Sequence, residues 1–138
     1  MDSDLHKSIA LLAIKPRFAD AIRGGSKRVE FRKTLFSQPP RIVVLYASAP
    51  VKQVVAYFTV AYIKQLTPLG LWRQFREYGG IEYHEFASYY GTAARGVAIG
   101  IGDVSLLGTP AELCDLHPTM KVPQSFRYLD QHTFSKLL

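Results

Sequence analysis

Residues 8–15, with the sequence SIALLAIK, are apolar at both sets of alternating positions. Because the side chains of a strand alternate between its two faces, this run is typical of a strand that is covered on both sides. Pro16 follows the run and suits the first turn of a helix, which Gly24 and Gly25 are expected to end. The run therefore predicts a central strand that leads directly into a helix.

The remainder of the chain alternates between strand-like and helix-like periodicity. The pattern predicts strands over residues 42–48, 54–63 and 95–107, and two short amphipathic helices between residues 69 and 90, with Tyr78 and Tyr83 on their apolar faces and Gly79 and Gly80 between them. A short helix is expected from Pro110 to Leu116. The apolar anchors of residues 123–129 indicate a tail that packs against the rest of the chain. The predicted class is α+β.

The composition is that of one globular domain over residues 1–138. Hydrophobic residues make up 48% and charged residues 20%, and a chain of this length can bury a sizeable core. No run of 18 apolar residues is present, and residues 1–7 are polar, so we expect no membrane span, no secretory signal and a cytoplasmic location. Cys114 is the only cysteine; it suits a reducing compartment, and we expect it to pack in the interior.

The chain is basic, with a formal net charge of +6. A basic domain favours polyanionic partners such as nucleic acid. The four histidines are dispersed and there is one cysteine, so the spacing of a zinc site is missing, and the sequence contains neither a P-loop nor a nucleophile elbow. We therefore expect no metal, no cofactor and no membrane partner, while the oligomeric state stays open.

The nine-residue stretch GSKRVEFRK holds five charged and two large apolar side chains. If it forms a strand, Val29 and Phe31 face the core, and Glu30 and Arg32 face the opposite side. Strict alternation would place Lys27 on the side of Val29, so this lysine can join Glu30 only from a turn or through a bulge. Two interpretations stay open: a functional site, or an exposed ladder of ion pairs worth about 0–1 kcal/mol each.

Further candidate residues lie where the predicted strands and helices end. Lys15 follows the first strand, where a long cation can reach into a cleft, and Ser48 lies in the turn after the strand over residues 42–48. Tyr46 and Tyr90 would offer aromatic faces on which a base can stack. The helical region supplies three acidic residues of which any one could point inward over the sheet: Glu77, Glu82 and Glu85.

Four positions, Gly25, Lys27, Glu30 and Arg32, match the signature G-x-K-x-x-E-x-R. The chain therefore resembles the ASCH domain family, which is named for activating signal cointegrator homology and is related to PUA domains. Three flanking segments are also similar to members of this family: Ile14-Lys15-Pro16, Tyr46-Ala47-Ser48-Ala49-Pro50 and Ser125-Phe126-Arg127. Together these likenesses extend over nearly the whole chain.

The resemblance implies a PUA-like β-barrel of about five to six strands, with peripheral helices and a cleft beside the G-x-K-x-x-E-x-R strand. It also implies binding of RNA or another nucleic acid in that cleft. Some family members deacylate a modified cytidine with the signature lysine, a threonine where this chain has Glu30, and a further glutamate. Others have been associated with ribonuclease activity. Glu30 departs from the deacylase pattern.

The leading hypothesis is a module that binds RNA, or a single-stranded or modified nucleotide, in a basic cleft. The expected ligand-binding residues are Lys15, Lys27, Glu30, Arg32, Tyr46, Ser48, Tyr90, Ser125 and Arg127. The first alternative is a small hydrolase that acts on an acylated nucleoside or on RNA, with Lys27 and Glu30 as its catalytic pair. The second is a protein-interaction domain in which the charged strand is only ion-paired.

Overall fold

The computed structural model describes residues 8–138 and contains six strands and five helices within this range. The strands are β1 (Ile9–Ile14), β2 (Val29–Arg32), β3 (Ile42–Ala47), β4 (Gln53–Leu66), β5 (Gly96–Ala111) and β6 (Phe126–Leu129). The helices are α1 (Pro16–Gly24), α2 (Pro68–Phe75), α3 (Tyr83–Tyr90), α4 (Leu113–Leu116) and α5 (Gln131–Ser135). None of these helices is long and apolar enough to cross a membrane. Residues 1–7, whose polarity was one reason to expect no secretory signal, lie outside the described residues.

The six strands form one curled, half-barrel sheet in the order β2-β5-β4-β3-β1-β6. β1 and β3 run parallel, and the other neighbouring strands run antiparallel. The pairing of the long strands β4 and β5 shifts its register at three places. Such irregularities increase the bend and twist of a sheet, so this pair contributes to the curl. The expected α+β, barrel-like fold is confirmed.

β1 is buried on both faces, as its uninterrupted apolar sequence predicts. Leu12 and Ile14 pack with α1 in one core cluster, whereas Ile9 and Leu11 pack with α4 and α5 in another. β3 on one side and β6 on the other pair with β1, so it is an inner strand. Each leucine or isoleucine buried in this way contributes about 1.5–3 kcal/mol to stability.

Helices α2 and α3 cover the end of the sheet that contains β2. Aromatic and aliphatic side chains of both helices pack on Val29 and Phe31 in a third core cluster. Gly79 and Gly80 lie between the helices, as predicted. A Cβ atom at Gly79 would come within 2.6 Å of the Phe31 ring, so the connection between α2 and α3 depends on a residue without a side chain at this point.

Three local expectations are wrong. Tyr78 and Tyr83 were expected on apolar helix faces, but both are exposed. α2 ends before Tyr78, and Tyr83 is the first residue of α3. Cys114 is exposed as well, since only the two leucines of the four-residue α4 face the core. Pro110 belongs to β5 and not to a helix, because the pairing with β4 continues as far as residue 111.

Candidate functional site

Lys27 reaches the site from a turn between α1 and β2. Gly25 ends the helix with a positive φ of 89°, and the backbone N–H groups of Ser26 and Lys27 both donate to the Ala21 carbonyl. This turn keeps Lys27 out of β2, so the alternation of the strand does not govern its side chain. Lys27 and Glu30 therefore point into the same space, which the sequence allowed only for a turn or a bulge.

Lys27, Glu30 and Arg32 form a continuous buried row of charges. The Lys27 ammonium lies 3.4 Å from Glu30 Oε1, and Arg32 Nη1 donates to Glu30 Oε2 over 3.1 Å. Lys27 also donates to the carbonyl oxygen of Gly79. The three side chains are 1%, 7% and 12% exposed, so this row differs from the exposed ladder that the sequence left open. One carboxylate separates the buried Lys27 ammonium from the partly buried Arg32 guanidinium.

Arg32 connects the two ends of the open sheet. From β2 at one edge, its Nη1 donates to the Ala13 carbonyl of β1 over 3.2 Å. Its Nη2 donates to the carbonyl oxygen and the hydroxyl of Ser125, at 3.1 and 3.3 Å, directly before β6 at the other edge. Its buried Nε has no hydrogen-bond partner among residues 8–138. The guanidinium thus spans the opening of the half-barrel on the floor of the site.

The charged row lies on the floor of a cleft of about 570 Å³ between the sheet, α1 and α3. The residues of the charged row share this space with apolar wall residues and with polar residues at the mouth. The lining consists of Ala13, Ile14, Lys15, Phe18, Lys27, Glu30, Phe31, Arg32, Ser48, Ile81, His84, Glu85, Phe86, Ser88 and Tyr89. Ligand pockets of about 300–1,000 Å³ accept small organic molecules, so the cleft has room for one nucleotide.

The mouth of the cleft carries an ion-paired cluster around Glu85. This carboxylate accepts from Lys15, over 3.3 Å, and from Arg17. Both cations are more than half exposed. The Arg17 guanidinium, followed by Lys15, lowers the pKa of Glu85. Of the three glutamates that the sequence left open, Glu85 is the one that lines the cleft.

The pKa of Lys27 is lowered from its usual value, and burial is the main cause because it disfavours the charged form. The Glu30 carboxylate, and more weakly that of Glu85, oppose this shift. A lysine in this position releases its proton more readily than an exposed lysine does. No cluster of three or more potential metal ligands is present within residues 8–138.

The structure brings most of the predicted ligand-binding residues to the cleft. Five of them line it: Lys15, Lys27, Glu30, Arg32 and Ser48. Ser125 does not line the cleft, but it accepts hydrogen bonds from Arg32, which does. The Lys27 ammonium is enclosed, whereas Lys15 and Arg17 place exposed cations at the mouth of the cleft. The role of these residues in binding stays a prediction.

Three predicted residues lie away from the cleft. Tyr46 is buried in the core cluster on the opposite face of β3, and Arg127 is exposed beside a separate pocket near α5. Tyr90 is buried, its hydroxyl donates to the Arg32 carbonyl over 2.9 Å, and burial raises its pKa. The tyrosine that lines the cleft is Tyr89, one position earlier on α3.

The rim around Tyr89 was not anticipated from the sequence. Tyr89 is 37% exposed, and its hydroxyl accepts from the backbone N–H of Lys33 over 3.0 Å. The Lys33 ammonium lies 4.9 Å from the centre of the Tyr89 ring, within reach of a cation–π interaction. Arg17 lies in a similar way over the ring of Phe18, which lines the opposite wall. Each rim therefore combines an aromatic ring with a cation.

The profile of the ASCH domain family matches residues 12–100. The chain belongs to the ASCH domain family. A protein of Zymomonas mobilis named ASCH domain-containing ribonuclease is 24% identical over 132 residues, which cover 94% of this chain and 89% of that protein. The predicted family membership is thereby confirmed.

Crystal structures of ASCH proteins have the same fold as this ASCH domain. The structure of ASCH from Zymomonas mobilis superposes with a TM-score of 0.87 at 25% identity, covering 94% of this chain and 93% of that one. A serine-to-alanine mutant of the Zymomonas mobilis protein superposes with a TM-score of 0.88 at 24% identity, covering 96% of this chain and 95% of the other.

Proposed function

We propose that this ASCH domain binds single-stranded RNA and seats one unstacked nucleotide in its cleft. The observation that carries the proposal is the cleft itself: about 570 Å³, aromatic walls, buried charges on the floor and exposed cations at the mouth. Single-stranded RNA is recognised by stacking of splayed bases and by hydrogen bonds to their edges. The name of the Zymomonas mobilis ribonuclease and the net charge of +6 support RNA as the ligand.

The residues at the mouth suit the phosphates. Lys15 and Arg17 are paired with Glu85 only through exposed ion pairs, which contribute about 0–1 kcal/mol each and exchange easily for a phosphate. Lys33 supplies a third cation beside Tyr89, whose ring offers a stacking face. We therefore assign the phosphate contacts to the rim of the cleft.

The floor of the cleft suits the base. Glu30 is the one anion of the buried row, and its carboxylate holds both Lys27 and Arg32 in place. An exocyclic amino group of a base would donate to this carboxylate, in the way that acidic side chains accept from cytosine. Phe18 and Phe86 line the space above it and exclude water from the contact.

Salt dependence and paired variants test this proposal. Contacts with three phosphates predict that the logarithm of the association constant for a single strand falls with the logarithm of salt concentration at a slope of about −2. Lys15→Ala combined with Arg17→Ala removes two of the three phosphate contacts, so it is expected to weaken binding and to reduce the size of the slope by about 1.4. Fluorescence anisotropy with a labelled oligouridylate measures both quantities.

The matched control is Arg41→Ala combined with Lys121→Ala. It removes the same charge at exposed positions outside the cleft lining. If the control pair weakens binding as much as the cleft pair, the attraction is a property of the overall charge, and the proposed cleft contacts are wrong. Absence of binding at low salt would also refute the proposal.

RNA cleavage is a second candidate function, and the state of Lys27 favours it. A buried lysine with a lowered pKa, 3.4 Å from a carboxylate, suits a general base that takes the proton of an attacking hydroxyl. Wild-type protein is expected to shorten end-labelled single-stranded RNA, whereas Lys27→Met, which keeps the length of the side chain and cannot exchange a proton, leaves it intact. Gel electrophoresis shows the difference, circular dichroism checks that the variant is folded, and a parallel incubation with N-acylcytidine tests deacylation. Intact RNA after long incubation with the wild type would exclude this candidate.

A further inference from the structure

A second aromatic and basic surface lies beside the connection between α2 and α3. Tyr62 on β4 is 42% exposed and Tyr78 is 50% exposed, large values for aromatic side chains. Arg28, which is exposed, precedes β2 at the same place. Its backbone N–H donates to the Tyr78 carbonyl over 2.7 Å. We call Arg28, Tyr62 and Tyr78 the outer face; none of the three lines the cleft.

The Tyr62 ring is held in a fixed position on this face. It stacks on Phe75 with the ring centres 5.6 Å apart and the planes 19° from parallel. It also lies directly over Gly100, where an added Cβ atom would come within 2.3 Å of the ring. An aromatic ring that is supported from below and open above is ready to stack on a base without losing much conformational freedom.

Two basic side chains, Arg28 and Lys64, are neighbours of Tyr62. Burial raises the pKa of Tyr62, Tyr78 adds to this shift and Arg28 opposes it, as expected for three neighbouring side chains. Lys64 is exposed and lies two residues further along β4, on the same face of the strand as Tyr62. Two cations thus flank two exposed rings.

The outer face is connected to the cleft through one short segment. Lys27 and Arg28 are consecutive, and Lys27 donates to the carbonyl of Gly79 on the cleft side, while the Tyr78 carbonyl accepts from Arg28. Residues 78–80 therefore lie between the cleft and the outer face. The outer face and the cleft thus share this segment as a common border.

We infer that the outer face binds the continuation of the RNA strand whose terminal or unstacked nucleotide occupies the cleft. Bases stack on Tyr62 and Tyr78, and Arg28 with Lys64 contacts the intervening phosphates. A row of cations interleaved with aromatic platforms is the arrangement by which proteins hold single strands without reading their sequence. The inference rests on the proposed function of the cleft and extends it from one nucleotide to several.

Oligouridylates of two and ten nucleotides distinguish binding at the outer face from binding in the cleft. Wild-type protein is expected to bind the longer ligand more tightly. Tyr62→Leu combined with Tyr78→Leu, which preserves apolar cover over Phe75, should weaken binding of the ten-nucleotide ligand by about fivefold or more and leave the two-nucleotide ligand unaffected. Tyr62→Phe combined with Tyr78→Phe keeps the rings and should bind both ligands as the wild type does. Fluorescence anisotropy gives the ratio of the two affinities for each variant.

The two ligands make the outcomes distinct. The inference is overturned if the wild type binds both oligouridylates with the same affinity. It is also overturned if Tyr62→Leu combined with Tyr78→Leu binds the ten-nucleotide ligand as tightly as the wild type does. Either result leaves the cleft proposal standing. Such a result would turn attention to a protein partner for the outer face. Equal losses for both ligands would also overturn it, because the substitutions would then act through the cleft. If the wild type binds neither ligand, both proposals fail together.

Discussion

Glu30→Gln is expected to lower the free energy of unfolding by about 3–5 kcal/mol, the range for removing one partner of a buried ion pair. Glutamine keeps the size of the side chain but leaves two cations, Lys27 and Arg32, without their shared counter-charge. Lys27 is 1% exposed, so water cannot replace the lost interaction. Urea denaturation at neutral pH measures the change.

The loss of stability that Glu30→Gln causes should become smaller as the pH rises. In the wild type the pKa of Lys27 is already lowered from its usual value, and Glu30 is the main group that opposes the shift. Without Glu30 the pKa falls further, so the unfolded chain binds more protons than the folded chain over a wider window below the usual lysine pKa. Stability rises with pH wherever the unfolded state holds more protons, and the variant gains more than the wild type.

Two controls separate this effect from loss of packing. Glu82→Gln is the first control, because Glu82 is exposed and its side chain makes no capping hydrogen bond to α3. This substitution should change stability by less than about 0.5 kcal/mol. In a Lys27→Met background, Glu30→Gln should cost at least about 1 kcal/mol less, because only one cation is then left unpaired. Strictly additive effects would contradict the coupling of the charged row.

Much of the framework of strands and helices could be predicted from the sequence because it depends on local patterns. The apolar run of β1, Pro16 at the start of α1 and the glycines after it each have one structural interpretation. The last four residues of β5 were missed, since residues 108–111 are held by backbone pairing with β4 and bury little apolar surface. Hydrophobic periodicity cannot detect a strand of that kind.

The sequence was less informative about the cleft for a different reason. β3 is apolar on both faces, so alternation shows that Tyr46 and Leu45 lie on opposite faces but not which core cluster each of them joins. In α3, the rotation of the helix about its axis decides whether Tyr89 or Tyr90 lines the cleft, and the sequence does not give this rotation. Glu85 pairs with cations about 70 residues away, a contact that depends on tertiary structure alone.

Arg32→Lys is expected to destabilise the protein by about 3 kcal/mol and to loosen β6 in particular. The planar guanidinium reaches Glu30, the Ala13 carbonyl and Ser125 at the same time. A single ammonium on a flexible stem cannot satisfy all of these directions, so at least two bonds to a charged donor are lost, each worth about 1.5–3 kcal/mol. Hydrogen exchange of the β6 amides, followed by mass spectrometry, measures the local effect.

β6 is sensitive to this substitution because it is a short edge strand. Within the part of the chain that the structure describes, its four residues pair only with β1, and Ser125, which Arg32 holds, lies directly before them. Arg127→Lys changes the same residue type at an exposed position on β6 and should leave both stability and exchange near wild-type values. Unchanged protection of β6 in Arg32→Lys would mean that pairing with β1 is enough to hold this edge. A selective loss would mean that the residue on the floor of the cleft also keeps the two ends of the half-barrel together, so that the shape of the binding site and the closure of the sheet depend on one guanidinium.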